Sequence, residues 1–104
     1  MGQDRCPDTR WAWVEIDKGA LRRNTRAFKD LLEPGVRMMA VVKADAYGHG
    51  AVQCVKVMRA AGADQFAVAT VKEGLELREA GITWPILILS EPPMECVRTL
   101  VEHD

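Results

Sequence analysis

The sequence lacks the features that mark a membrane-bound, exported or polyanion-binding protein. Its longest apolar runs, residues 38–42 and 86–89, are far too short to cross a bilayer. The first residues are polar and contain no apolar signal segment. Acidic and basic residues nearly cancel, at a formal net charge of -1, so neither a membrane surface nor nucleic acid is expected as a partner. These absences favour a cytoplasmic protein.

Patterns for metal, redox and nucleotide chemistry are missing as well. The cysteines Cys6, Cys54 and Cys96 are odd in number and widely spaced. They form no C-x-x-C pair and have no zinc-like spacing with either histidine, so we expect reduced thiols and no metal site. The P-loop pattern and the G-x-G-x-x-G fingerprint of nucleotide-binding folds are absent too.

The sequence does contain an alternation of short apolar runs with amphipathic segments. Residues 11–17 have the two-residue period of a strand, and Asp17 is placed to cap a helix that Pro34-Gly35 ends. The following apolar run suits a strand buried on both faces of a parallel sheet. The predicted parallel strands are residues 38–42, 66–69 and 86–89. A helical pattern follows each strand, which predicts an α/β fold.

A sheet of three parallel strands would leave both edges open, and open apolar edges invite aggregation. We therefore expect a fragment of a longer protein, with residues 1–35 as an N-terminal segment and residues 36–104 as the first three βα units. A (β/α)8 barrel takes about 250 residues, whereas a doubly wound fold takes about five or six strands. The alternation alone leaves both architectures open.

Lys43 stands directly after the first apolar run, at the end of the predicted strand. In α/β folds the loops at that end carry the functional site. An amine in an apolar setting can form a Schiff base with an aldehyde such as that of pyridoxal phosphate (PLP). The alternative is a strand-end lysine whose amine only reaches out to water.

The residues after Lys43 favour a phosphate ligand. Tyr47 offers a hydroxyl, and Gly48 and Gly50 allow the backbone to approach an anion closely. The helix that begins near residues 50–52 would direct its positive end toward a phosphate. This chemistry alone does not distinguish PLP from another phosphate ligand.

Residues 41–50, VVKADAYGHG, closely resemble the PLP-attachment signature of the alanine racemases, fold-type III PLP enzymes in which VVKANAYGHG is usual. The opening strand and helix of that family, its second barrel unit and its third strand are also matched in order and spacing, so the resemblance covers residues 11–93. Asp45 stands where the family usually has Asn, and Gly74 where it usually has Ala.

The resemblance implies a PLP-binding (β/α)8 TIM barrel, followed in the family by a C-terminal β domain that these residues lack. It implies that Lys43 holds PLP and acts as a catalytic base, and that Tyr47 binds the cofactor phosphate. The substrate would be alanine, and the product D-alanine for peptidoglycan. The family works as a homodimer in which a tyrosine of the partner's C-terminal domain is the second base, so we expect this chain to be inactive by itself.

Other interpretations stay open. A broad-specificity or serine racemase of the same fold would share the signature, and a non-catalytic PLP-binding barrel protein or a fragment without a ligand would share the alternation. His49 is either a general base or a loop histidine bonded to backbone, and we favour the second. Asp45 either positions the loop or the tyrosine or forms a local turn, and we favour the turn. Glu73 is expected to form a capping box with Thr70.

Overall fold

Three parallel strands, with helices packed behind them, make up the part of the chain that the computed structural model describes, residues 16–103. The strands are β1 (Met39–Val41), β2 (Gln65–Val68) and β3 (Ile86–Ile88), hydrogen-bonded in the order β1-β2-β3. All neighbours pair in parallel, which confirms the predicted sheet. The strand predicted at residues 11–17 lies, apart from its last two residues, outside the described part.

The first three of these helices begin where the sequence signals place them. The side chain of Asp17 accepts a hydrogen bond from the Ala20 N–H at 2.9 Å and caps α1 (Lys18–Leu31). The later helices are α2 (Ala51–Ala60), α3 (Val71–Glu79) and α4 (Val97–Glu102), the last preceded by a 3-10 turn at Met94–Cys96. The helices found among residues 16–103 include none with the length and hydropathy of a membrane span.

The hydrophobic core lies between one face of the sheet and the helices α2 and α3. Its largest fully buried side chains are Val42, Val55, Phe66, Val68 and Leu77. Gly74 in α3 lets that helix approach the sheet, because an added Cβ would lie only 3.1 Å from Cδ1 of Ile88. An alanine at this position would require Ile88 to shift by a few tenths of an ångström.

The other face of the sheet is exposed. In β1, Met39 is 40% and Val41 is 41% exposed, while Ala40 between them is buried. The prediction that this strand is buried on both faces is therefore wrong for the described chain, since no element of residues 16–103 covers that side. Only β2, flanked by two strands, is shielded along most of its length.

Because the strands are parallel, the segments that follow them meet at one edge of the sheet. The segment after β1 begins at Val42, whose N–H continues the ladder to the Ala67 carbonyl at 2.8 Å. After β2 come Ala69 and Thr70, which lead into α3. Lys43 and its loop are thereby placed beside the first turn of α3.

Candidate functional site

Lys43 lies at the carboxyl end of β1, directly after Val42, which is only 1% exposed. The Lys43 residue itself is half-buried. Its amine has neither a hydrogen-bond nor an ion-pair partner among residues 16–103. The residue before Lys43 is thus fixed in the core, and no group of residues 16–103 occupies the lysine nitrogen.

The backbone after Lys43 forms one turn of left-handed helix. Ala44, Asp45, Ala46 and Tyr47 have φ angles of 53°, 55°, 57° and 57°. Each non-glycine residue in this region costs about 1–2 kcal/mol, so a run of four needs support from its surroundings. The sequence predicted a polar, glycine-rich loop here, and the structure replaces it with an ordered turn.

Hydrogen bonds within the turn supply part of that support. The Ala46 N–H donates to the Val42 carbonyl at 2.9 Å, and the Gly48 N–H donates to the Ala44 carbonyl at 3.0 Å. Ala46 is 7% exposed and packs into the core cluster. Gly48 then leaves the turn at a φ of 91°, a conformation that favours glycine.

Asp45 joins the turn to the next helix. Its Oδ1 accepts the Ala51 N–H at 2.8 Å, at the first residue of α2. A carboxylate at a helix N-terminus is favourable, because it satisfies an unpaired amide and meets the positive end of the helix dipole. The contact spans six residues instead of the local turn expected for Asp45. The same contact occupies the first amide of α2, the helix N-terminus that we had expected to face a phosphate.

Tyr47 and His49 stand at the outer end of the turn. Tyr47 is 62% exposed, and its hydroxyl has no hydrogen-bond partner in the described part of the chain. Nδ1 of His49 donates to the Ala46 carbonyl at 2.9 Å, which favours a backbone-bonded histidine over a general base. Both residues line a cavity of about 520 Å³ that extends to the start of α1.

Glu73 reaches across from α3 to the lysine loop. Its Oε1 accepts the N–H groups of Ala69 at 2.7 Å and Thr70 at 3.2 Å, and its own N–H donates to Thr70 Oγ1 at 3.2 Å. These contacts confirm the predicted capping box. Its Oε2 accepts the Ala44 N–H at 2.7 Å, a contact the sequence did not predict. One feature of the sequence could have indicated this contact: the Thr70–Glu73 cap follows β2, the strand that pairs with β1.

Two pKa shifts accompany this arrangement. Burial is the largest influence on Glu73 and would raise its pKa, but the N–H groups of Ala69, Ala44 and Thr70 together bring the pKa below its ordinary value. Burial, followed by the charge of Asp45, raises the pKa of the Cys54 thiol. Glu73 is therefore ionised at neutral pH, and Cys54 is a protonated core residue.

Comparison with known sequences identifies the family. The family model for "Alanine racemase, N-terminal domain" matches residues 16–104. Alanine racemase of Synechocystis sp. is 60% identical over 78 residues, which are 75% of this chain and 21% of that protein. Alanine racemase 1 of Oceanobacillus iheyensis is 50% identical over 93 residues, 89% of this chain and 25% of that protein. The chain thus spans a quarter or less of these curated relatives.

Solved structures agree. The alanine racemase of Bacillus anthracis with bound L-Ala-P matches with a TM-score of 0.87 and 42% identity, over 88% of this chain and 24% of that chain. The enzyme of E. faecalis matches with a TM-score of 0.84 and 44% identity, over 86% and 24%. Both confirm the predicted α/β fold, and the family depends on PLP. The chain belongs to the alanine racemase family, and it lies within the family's N-terminal domain.

Proposed function

We propose that the protein catalyses the PLP-dependent interconversion of L-alanine and D-alanine, with Lys43 carrying the cofactor and Tyr47 binding its phosphate. The observation that carries this proposal is the position of Lys43. A half-buried lysine, whose amine has no partner within residues 16–103, joins a core strand to a left-handed turn. The relatives named alanine racemase support alanine as the substrate.

The residues of the turn fit the proposed cofactor. Lys43 supplies the primary amine that an aldehyde requires, and Tyr47 supplies a hydroxyl donor for a phosphate oxygen. Lys43 directly precedes the left-handed turn and Tyr47 is the last residue of that turn, so one short segment carries both groups. Phosphate binding by the α2 N-terminus is not part of the proposal, because Asp45 holds the Ala51 amide.

The chemistry then divides between cofactor and protein. Bound PLP withdraws electrons from the α-carbon of an attached amino acid and makes its α-proton removable. Lys43 Nζ, released once the substrate amine replaces it on the cofactor, would accept that proton on one face. The family resemblance assigns this role to the reaction of the D-enantiomer. Proton exchange on the opposite face needs a second group. Tyr47 is the single tyrosine of the 104 residues, so we infer that these residues alone do not racemise alanine.

We extend the proposal to the setting in which the enzyme works. In line with the family resemblance, the second proton donor is a tyrosine of a β domain in the partner of a homodimer. The protein acts in the cytoplasm, and its product D-alanine enters peptidoglycan. Sedimentation of the naturally produced protein tests the dimer, and D-alanine auxotrophy of a deletion strain tests the supply role.

Racemisation is tested in the protein as it is naturally produced. L-Alanine is incubated with PLP, and the D-enantiomer is followed by chiral chromatography, with L-serine in parallel. Lys43→Ala removes the proton-transferring amine, and we expect D-alanine formation to fall by about 10³-fold or more. Lys56→Ala, which changes an exposed lysine of α2, serves as the control and retains activity. Racemisation that survives Lys43→Ala would contradict the proposal.

A further inference from the structure

The Glu73 carboxylate connects the ends of two neighbouring strands. One oxygen, Oε1, is occupied by the Ala69 and Thr70 amides at the end of β2. The other, Oε2, lies 2.7 Å from the Ala44 nitrogen, at the residue that follows Lys43. The first oxygen therefore belongs to the cap of α3, and the second belongs to the lysine loop.

The backbone enters the left-handed conformation at Ala44. Ala44 is the first residue of the left-handed turn, with a φ of 53° and a ψ of 46°. The amides at the start of a helical turn have no partner within the turn, and they need an external acceptor. Glu73 is that acceptor, and its lowered pKa means that the accepting group is a carboxylate at neutral pH.

We propose that Glu73 is a positioning residue, which fixes the direction of Lys43 by holding the first amide of the left-handed turn against the end of β2. The proposal rests on the proposed function in so far as Lys43 carries PLP. The contact to Ala44 makes the orientation of the lysine depend on a residue 30 positions along the chain from it, in the next βα unit.

Two substitutions separate positioning from helix capping. Glu73→Gln keeps an oxygen for the Ala69 and Thr70 amides but turns an N–H2 group toward Ala44, which cannot accept a hydrogen bond. Thr70→Ala removes the hydroxyl that caps the Glu73 amide and leaves the bridge to Ala44 in place. Glu76→Gln neutralises an exposed carboxylate on the same helix and controls for charge.

The first readout is amide hydrogen exchange in the naturally produced protein without PLP. We expect Glu73→Gln to speed exchange of residues 43–48 about tenfold, because a hydrogen bond to a charged group is lost. Exchange in α2 stays unchanged. Thr70→Ala loosens the start of α3 and leaves residues 43–48 as they were. Equal exchange of these residues in Glu73→Gln and wild type would overturn the proposal.

The second readout is covalent attachment of PLP to Lys43, measured by borohydride reduction and peptide mapping under conditions where each variant is folded. We expect the attachment rate to fall about tenfold in Glu73→Gln and less than about twofold in the two controls. Equal losses in Glu73→Gln and Thr70→Ala mean that Glu73 only caps the helix. If Glu73→Gln does not fold, Glu73→Asp replaces it, since the shorter carboxylate cannot span both strand ends.

The two readouts also distinguish this proposal from the proposed function. If wild-type protein takes up no PLP at Lys43, the proposed function fails, and the exchange experiment still decides whether Glu73 holds the turn. If wild type takes up PLP at Lys43 and Glu73→Gln behaves like wild type in both readouts, the positioning role fails and the proposed function stands.

Discussion

Asp64 links three parts of the chain through a single carboxylate oxygen. Oδ2 accepts a hydrogen bond from Lys29 Nζ at 2.6 Å and another from the Met38 N–H at 2.7 Å. The end of α1 is thereby tied to the residues that precede β1 and β2. The hydrogen bond from Lys29, and then that from Met38, lower the pKa of Asp64 below its ordinary value of 3.8.

The depressed pKa of Asp64 predicts a pH-dependent contribution to stability. A carboxylate with a lower pKa in the folded state stabilises the fold above its unfolded pKa, and this contribution is lost as pH falls through the folded pKa. Asp64→Asn should therefore lower the free energy of unfolding at neutral pH. The gap to wild type should stay constant down to about 3.8 and close below it.

Urea titrations of wild type and variant between neutral pH and pH 2 measure that gap. Asp30→Asn is the matched control, because Asp30 pairs with Arg26 on the surface of α1, where side chains are 58% and 62% exposed. Such a pair contributes little. A gap for Asp64→Asn that is no larger than the gap for Asp30→Asn, or that widens in acid, would refute this account of Asp64.

The left-handed turn is the element that sequence patterns could not predict. Gly48 and Gly50 were expected to let the backbone approach an anion, and both have positive φ angles. Nothing in the residue types of Ala44 or Ala46 favours that conformation, since alanine is the strongest former of right-handed helix. Their conformation depends on contacts from elsewhere in the fold, such as the Glu73 carboxylate and the Asp45 bridge to α2.

Glycine substitutions test the handedness of the turn by whether they raise or lower the free energy of unfolding. Ala44→Gly relieves a positive φ of 53° at an exposed residue, and it should leave stability unchanged or raise it by up to about 1 kcal/mol. Ala27→Gly, at an exposed position inside α1, should lower stability by about 1 kcal/mol. Thermal and urea unfolding measure both, and an equal loss in the two variants would argue against a left-handed turn.

Helix starts were more predictable from the sequence than helix faces. Asp17 and the Thr70–Glu73 box cap their helices as predicted, because capping depends only on residues within one turn. Apolar residues recur at helical spacing in α1, yet Phe28 is 64% and Leu31 is 79% exposed. Burial of a helix face depends on what packs against it, and a local period carries no information about that partner.

At the scale of the whole chain, the sequence predicted the parallel arrangement of the strands and the position of Lys43. It did not predict that one face of the sheet is exposed in the described residues. The family model runs through residues 16–104 and so crosses the predicted division at residue 35, which stays a prediction. One face of the sheet exposes apolar side chains, including Leu87 at 48% and Leu89 at 50%. The site lies at the rim of this sheet, where the ends of β1 and β2 meet.

The central claim is that PLP attaches to Lys43, and not to the other lysines of the chain, because Lys43 lies where the ends of β1 and β2 meet. Reduction of the naturally produced protein with borohydride in the presence of PLP, followed by peptide mapping, tests it most directly. We predict about one pyridoxyl group per folded chain, located on Lys43. Exposed lysines such as Lys56 and Lys72 stay unlabelled. Once the protein is unfolded, we expect all of its lysines to be labelled to a similar extent. Labelling of the folded protein at Lys56 or Lys72 in place of Lys43, or no labelling at all, would contradict the account.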